Sequence, residues 1–185
     1  MKRMISGLLT KSRTKGGRVL AFAGLASACV SAPVLAHHSF AMYDQSKRLV
    51  FTGVVVRVAP NADHQQIYFV PLDDARKAIV RNSKKEPIVW MLEMTGSTQA
   101  AAEGVTVDAF RPGTIMSVGL FPLRNGSTGG TRGIGGAQEN ASPIFRCPAK
   151  TPPAAGKHCD SVPGSTRFGK GPLPRATTVW TPPAE

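Results

Sequence analysis

The chain has 185 residues, of which 23 are Lys or Arg and 11 are Asp or Glu, giving a formal charge of +12. Aromatic residues make up only 6%, which leaves few of the stacking side chains that single-strand nucleic-acid binders use. No internal repeat is large enough to suggest a solenoid.

Residues 1–36 have the layout of a secretory signal peptide. Lys2, Arg3, Lys11, Arg13, Lys15 and Arg18 form a basic front. Val19 to Leu35 is uncharged and mostly small and apolar, with Pro33 near its end. Val34 and Ala36 suit the −3 and −1 subsites of a signal peptidase, and a cut after Ala36 makes His37 the first residue. The apolar run is shorter than the ~20 residues a membrane span needs. A rival cut exists at Ala26-Ser27-Ala28-Cys29, which resembles a lipoprotein box with Cys29 as the acylated residue, although alanine stands where leucine is preferred. Removing 1–36 takes away six basic residues. The remaining 149 carry 17 basic against 11 acidic residues, a net +6. That balance suits an envelope protein near an anionic surface or an envelope partner.

"HHSFAMYDQSK" (37–47) is a polar lead-in with Phe40, Met42 and Tyr43 as anchors. "RLVFTGVVVRV" (48–58) is rich in β-branched residues and predicts a strand, with a bulge or bend at Gly53. "APNAD" (59–63) is turn chemistry, and "HQQIYFVPL" (64–72) predicts a second strand. "DDARKAIVRNSKKE" (73–86) is a charged connection with "KAIV" at one edge. "PIVWMLEM" (87–94) predicts a third strand. In "TGSTQAAAEG" (95–104), Ser97 or Thr98 can cap a short helix that Gly104 ends. "VDAFRPGTIMSVGLFPL" (107–123) predicts a Pro-Gly turn and a fourth strand.

From residue 124 the chain is glycine-rich with few apolar side chains, and such a segment cannot bury enough surface to offset its ordering entropy. "IFRCP" (144–148) predicts a last short strand. Residues 148–185 carry repeated prolines and predict a largely irregular tail. Cys147 and Cys159 are the only cysteines left after residue 36, and an even count in an exported chain predicts a disulfide. Closing a loop of that size stabilises by about 3 kcal/mol.

Several short strands with one helix between the third and fourth fit an OB-like five-stranded barrel over 37–123. A half-open antiparallel sheet is the alternative.

The order "HHSFAMYD", "VFTGVVVRV", an Asn-containing turn before His64, "WMLE" and "FRPGTIMSVGL" resembles an uncharacterised family of small exported bacterial proteins, catalogued as a domain of unknown function. The resemblance covers roughly 37–123. The residues that carry it are His37, His38, Ser39, Phe40, Gly53, Asn61, His64, Trp90, Glu93, Pro112 and Gly113. Two features depart from the family pattern. Asn61-Ala62-Asp63-His64 is one residue longer than the family's Asn-Pro-His, and Thr114 replaces an acidic residue after Pro-Gly. The resemblance implies a barrel-like β domain in the periplasm and no known activity.

A free N-terminal His37 could chelate a metal with its α-amine and its own imidazole, the amine having an ordinary pKa of about 7.7–8.0. His38 adds a second imidazole and His64 a third, and nitrogen-rich tetragonal sites suit copper(II). The plainer alternative is a polar start that aids cleavage, with His64 capping a turn. The pattern is also similar to copper oxygenases that clamp metal with a first-residue histidine, but no substrate face identifies such an enzyme. Ser39 beside His38 is no nucleophile–base pair without an orienting third group. The glycines of 126–136 lack the G-K-[ST] of a phosphate loop. Asp73 and Asp74 read as a solvated turn. In a regular strand Trp90 and Glu93 face opposite ways, which puts Trp90 in the core and Glu93 on the surface. A ligand groove using Tyr68 or Glu93 is the alternative. The expectation is a small exported binding or accessory module of unknown ligand; if the N-terminus is functional, the ligand is a copper-class metal at His37, His38 and His64. The runner-up is a metal-free envelope interaction protein using the basic barrel face and the tail.

Overall fold

A computed structural model describes residues 40–133, 141–169 and 171–181. Among these residues a 3-10 turn at Phe40–Met42 is followed by seven strands and one α-helix, in order β1 (Leu49–Ala59), β2 (Gln66–Pro71), β3 (Trp90–Glu93), α1 (Ser97–Ala102), β4 (Ile115–Pro122), β5 (Gly129–Thr131), β6 (Ile144–Arg146) and β7 (Thr166–Arg167). Five of the strands close on themselves in the order β1–β2–β3–β5–β4–β1. The β3–β5 pair is parallel and the other pairs in the ring are antiparallel. The result is the closed, OB-like barrel with one short helix between its third and fourth strands.

The long β1 makes closure possible. Leu49–Val54 pair with β4 and Gly53–Ala59 pair with β2, so one strand serves both sides of the ring. Gly53 sits where the two pairings overlap. A methyl there would lie 2.7 Å from both Phe69 Cδ2 and the Val70 carbonyl oxygen. Its role is close approach, and the bulge expected at Gly53 lies at Val56 instead, where the register jumps from Val55↔Phe69 to Arg57↔Tyr68.

Alternation then assigns the faces. Val55, Ile67, Phe69, Leu92, Met116, Val118 and Leu120 point inward and are buried. Ala100 of α1 and Val105, Ala109 and Phe110 after it join the same core. Each fully buried large side chain contributes roughly 1.5–3 kcal/mol. Neither Ser97 nor Thr98 caps α1. The cap position is Gly96, with no side-chain hydrogen bond. The Ser97 N–H donates to the Asn61 carbonyl at 2.9 Å, and a Cβ on Gly96 would collide with the Ala62 carbonyl oxygen. The β1–β2 turn thus satisfies the helix start with backbone, and only glycine fits beneath it.

The glycine-rich stretch after 124 is not merely a linker. Gly129–Thr131 form the strand that closes the barrel, so the barrel runs past residue 123. A Cβ on Gly130 would lie 2.5 Å from the Phe121 carbonyl oxygen and 2.6 Å from Leu120 Cδ1. At Gly130 the strand contributes backbone pairing where no side chain would fit.

The C-terminal part has two short strands and much irregular chain, but it packs against the barrel. Strand β6 pairs with Met116–Val118 of β4, and β7 pairs with β6. Cys147 and Cys159 are joined by a disulfide. They pack with Val54, Leu72, Ile115 and Phe145 into a second cluster on the outer face of β1 and β4. The Cys159 N–H donates to Ser117 Oγ at 2.9 Å. Further on, Phe168 enters the main core, and the Trp180 N–H donates to the Gly113 carbonyl at 2.7 Å. Among the described residues no helix is long and apolar enough to cross a membrane.

Candidate functional site

The β2–β3 register pairs Gln66 with Glu93 and Tyr68 with Met91, while Ile67, Leu92, Phe69 and Trp90 face the core. Tyr68 and Glu93 therefore share the outer face, and Trp90 opposes Glu93. The bulge at Val56 adds Arg57 to the same face. In an unbulged pairing of the same sequence, Val56 would oppose Tyr68 and Arg57 would oppose Ile67 and turn inward. Bulges re-aim side chains in this way. The Arg57 guanidinium stands 3.7 Å from the Tyr68 ring centroid, and the Tyr68 hydroxyl donates to Gln66 Oε1 at 2.7 Å.

Glu93 is not a surface residue. It is 8% exposed, although it lies on the outside of the barrel wall. Tyr43, 1% exposed, covers it. The lead-in holds Tyr43 there with backbone bonds along the barrel rim. Asp44 N–H donates to the Pro122 carbonyl at 2.8 Å, and Arg124 N–H donates to Met42 at 2.9 Å. Burial pushes the Tyr43 phenol well above its ordinary value, and the charge of Glu93 and the hydrogen bond to it push the same way. His64 completes the group. Its Nδ1 lies 3.7 Å from Glu93 Oε1, and its side chain is 27% exposed. That separation is ion-pair range and longer than a hydrogen bond.

Burying a carboxylate is costly unless it is paired. Here its side-chain company is a phenol and a partly exposed imidazole. A carboxylate that accepts a hydrogen bond from one ring nitrogen of a histidine is the common arrangement behind histidine metal ligands, and Glu93 stands within ion-pair range of His64 for that role. The three side chains can therefore orient an imidazole, share a proton or receive a cation.

Of the residues expected to carry chemistry, the structure brings together His64 and Glu93 and places Tyr68 on the same face. His37, His38 and the alternative lipid site Cys29 lie outside the described residues. Among the described residues no three His, Cys, Asp or Glu side chains meet as a metal site. The sequence reading underrated Tyr43. It also missed a second buried charge group, in which Arg132 lies 4.0 Å from Glu103 and 3.9 Å from the Phe168 ring centroid. Burial lowers the Arg132 guanidinium to about 10, against the pull of Glu103. No periodic signal marks either residue. Arg132 follows a strand of two glycines and a threonine, and Glu103 ends a six-residue helix.

The profile of a family of unknown function, DUF6152, matches residues 25–132. That span includes β5 and ends at Arg132, which agrees with a barrel that needs Gly129–Thr131 to close. No curated protein and no solved structure matches the chain.

Proposed function

The chain belongs to this DUF6152 family, and on that premise we propose that it is an exported binding module whose site is the outer barrel face around Tyr43, Glu93 and His64. The observation that carries the reading is the buried Glu93 carboxylate beside the His64 imidazole on the face where OB-like barrels commonly take ligands. Export agrees with the signal-like residues 1–36 and with the Cys147–Cys159 disulfide, since such bonds persist in oxidising compartments.

The ligand is a copper-class metal held by His37, His38 and His64. A partly exposed imidazole next to a buried carboxylate fits a nitrogen ligand of this kind. Tyr43 keeps Glu93 in place, and the chain from Tyr43 back to His37 is six residues. At roughly 3.3–3.6 Å per residue it is long enough to bring the N-terminal amine to this face. The metal would supply a Lewis-acidic centre, and the protein contributes its position and its charge balance.

The test is copper(II) titration of the signal-cleaved protein beside its His64→Ala variant, followed by electron paramagnetic resonance. The expected result is one fewer nitrogen ligand and an affinity about tenfold or more weaker in the variant, as for loss of one metal-oriented interaction. Identical spectra and affinities would remove His64 from the site.

A further inference from the structure

A further polar group lies where the C-terminal chain packs on β6. The His158 ring packs on Phe145 with centroids 5.7 Å apart. Both of its nitrogens are buried and have no hydrogen-bond partner among the described residues. A neutral imidazole has one donor and one acceptor, and leaving such buried groups unsatisfied is destabilising.

The surroundings are cationic. Arg167 pairs with Phe145 across β6 and β7, and its guanidinium carbon is 5.9 Å from the Phe145 ring centroid on which His158 also packs. Arg48 approaches from the chain entering β1. Its Nε would lie 2.9 Å from a Cβ on Gly119, and Ser142 Cβ would lie 3.2 Å from the same point. Glycine at 119 therefore lets the Arg48 guanidinium lie against the β4 backbone beside Ser142, whose buried hydroxyl also has no partner among the described residues. The positive charges of Arg48 and Arg167 both act on His158, and Asp160 is the acidic group that opposes them. Both arginines are exposed and can reorient at little cost.

We infer that Arg48, Arg167 and His158 form a binding site for a tetrahedral oxyanion, with the Ser142 hydroxyl beside it. The ligand is a sulfate or phosphate group, free or carried by a lipid headgroup. Such an anion accepts from both guanidinium groups and from His158 N–H, and charge-assisted bonds of this type are the strong ones. Burial and Arg48 lower the His158 pKa, so the ring must take up a proton from solvent for the anion to gain its full contact. Binding therefore strengthens as pH falls.

The probe is sulfate, which does not itself titrate near neutrality. Sulfate is added to the purified protein while the ring resonances of His158 are followed, at pH of about 7.5 and about 5.5, on either side of the ordinary histidine value. The expected result is a saturable shift of His158 that is tighter at the lower pH and about tenfold or more weaker in Arg48→Gln/Arg167→Gln. These exposed substitutions leave the folded core intact, and unchanged thermal unfolding in the absence of sulfate checks this. No saturable shift, or an equal shift in the double variant, overturns the site. Vesicles of phosphatidylglycerol, with phosphatidylcholine as control, then separate the two sources. Retention on the anionic vesicles that sulfate competes away assigns a lipid phosphate, while sulfate binding without vesicle retention assigns a free anion.

Discussion

The Arg57 guanidinium lies 3.7 Å from the Tyr68 ring centroid because one extra residue, Val56, interrupts the pairing of β1 with β2. A contact on the candidate ligand face is thus set by backbone register. Arg57→Ala should cost only about 0.5–1 kcal/mol, the usual worth of an exposed cation–π pair. Deleting Val56 removes the extra residue and leaves Val55 opposite Phe69 and Arg57 opposite Tyr68, so it should cost no more than Arg57→Ala. Urea unfolding of the two variants checks this. A far larger cost for the deletion would mean that Val56 is not merely the extra residue of the bulge.

Gly130 makes a second prediction about the wall. A Cβ there meets the Phe121 carbonyl oxygen at 2.5 Å, and backbone cannot move aside as a side chain can. Gly130→Ala should destabilise by roughly 1–3 kcal/mol, as overpacking does. Gly126→Ala, which has open space and a φ of +78°, should show only the smaller backbone strain of about 1 kcal/mol. Chemical denaturation of both proteins ranks them.

Removing the disulfide should loosen the second cluster as well as open a loop. Cys147→Ala/Cys159→Ala is expected to lose about 3 kcal/mol from loop closure. For a chain of this size that corresponds to a Tm lower by roughly 6–12 °C. The contact between Cys159 N–H and Ser117 Oγ also becomes weaker, so hydrogen exchange at Cys159 and at neighbouring β6 amides should accelerate. An unchanged Tm under reducing conditions would contradict the structural role.

Tyr43 sets an alkaline limit on stability. Its folded-state pKa is raised above the unfolded value of 10.0, first by burial and then by Glu93. Above that pH the unfolded chain releases the Tyr43 proton while the folded chain keeps it. Stability is therefore full below about pH 10 and is lost as pH rises further. Tyr43→Phe should flatten this alkaline loss. At neutral pH it should cost about 1–3 kcal/mol, because buried Glu93 loses a donor. Denaturant midpoints measured across pH, with ultraviolet titration of the tyrosines, provide the check.

Much of the barrel was legible because its main strands carry ordinary signals. β-Branched runs marked β1 and β2, and the Pro112-Gly113 turn marked the entry to β4. The alternation that opposes Trp90 to Glu93 held in the register. The fifth strand was illegible for a physical reason. A Cβ on Gly130 would meet the Phe121 carbonyl oxygen, so that position takes glycine, and a Gly129-Gly130 pair has no hydrophobic pattern to read. Glu93 was misjudged because period-two alternation separates inner from outer and cannot show that Tyr43, fifty residues earlier, covers the outer face. The bulge was placed at Gly53 on composition, whereas the extra residue, Val56, has an ordinary strand former's side chain. The anchoring of the C-terminal chain was hidden because single residues such as Phe168 and Trp180 dock from irregular backbone.

The most direct measurement is copper(II) titration of protein isolated from its own host, after intact mass has located its first residue. The account predicts a chain beginning at His37 with the disulfide formed, binding one copper tightly and losing that binding in His37→Ala/His38→Ala. A chain acylated at Cys29, or one beginning at His37 that takes up copper only weakly, would contradict it.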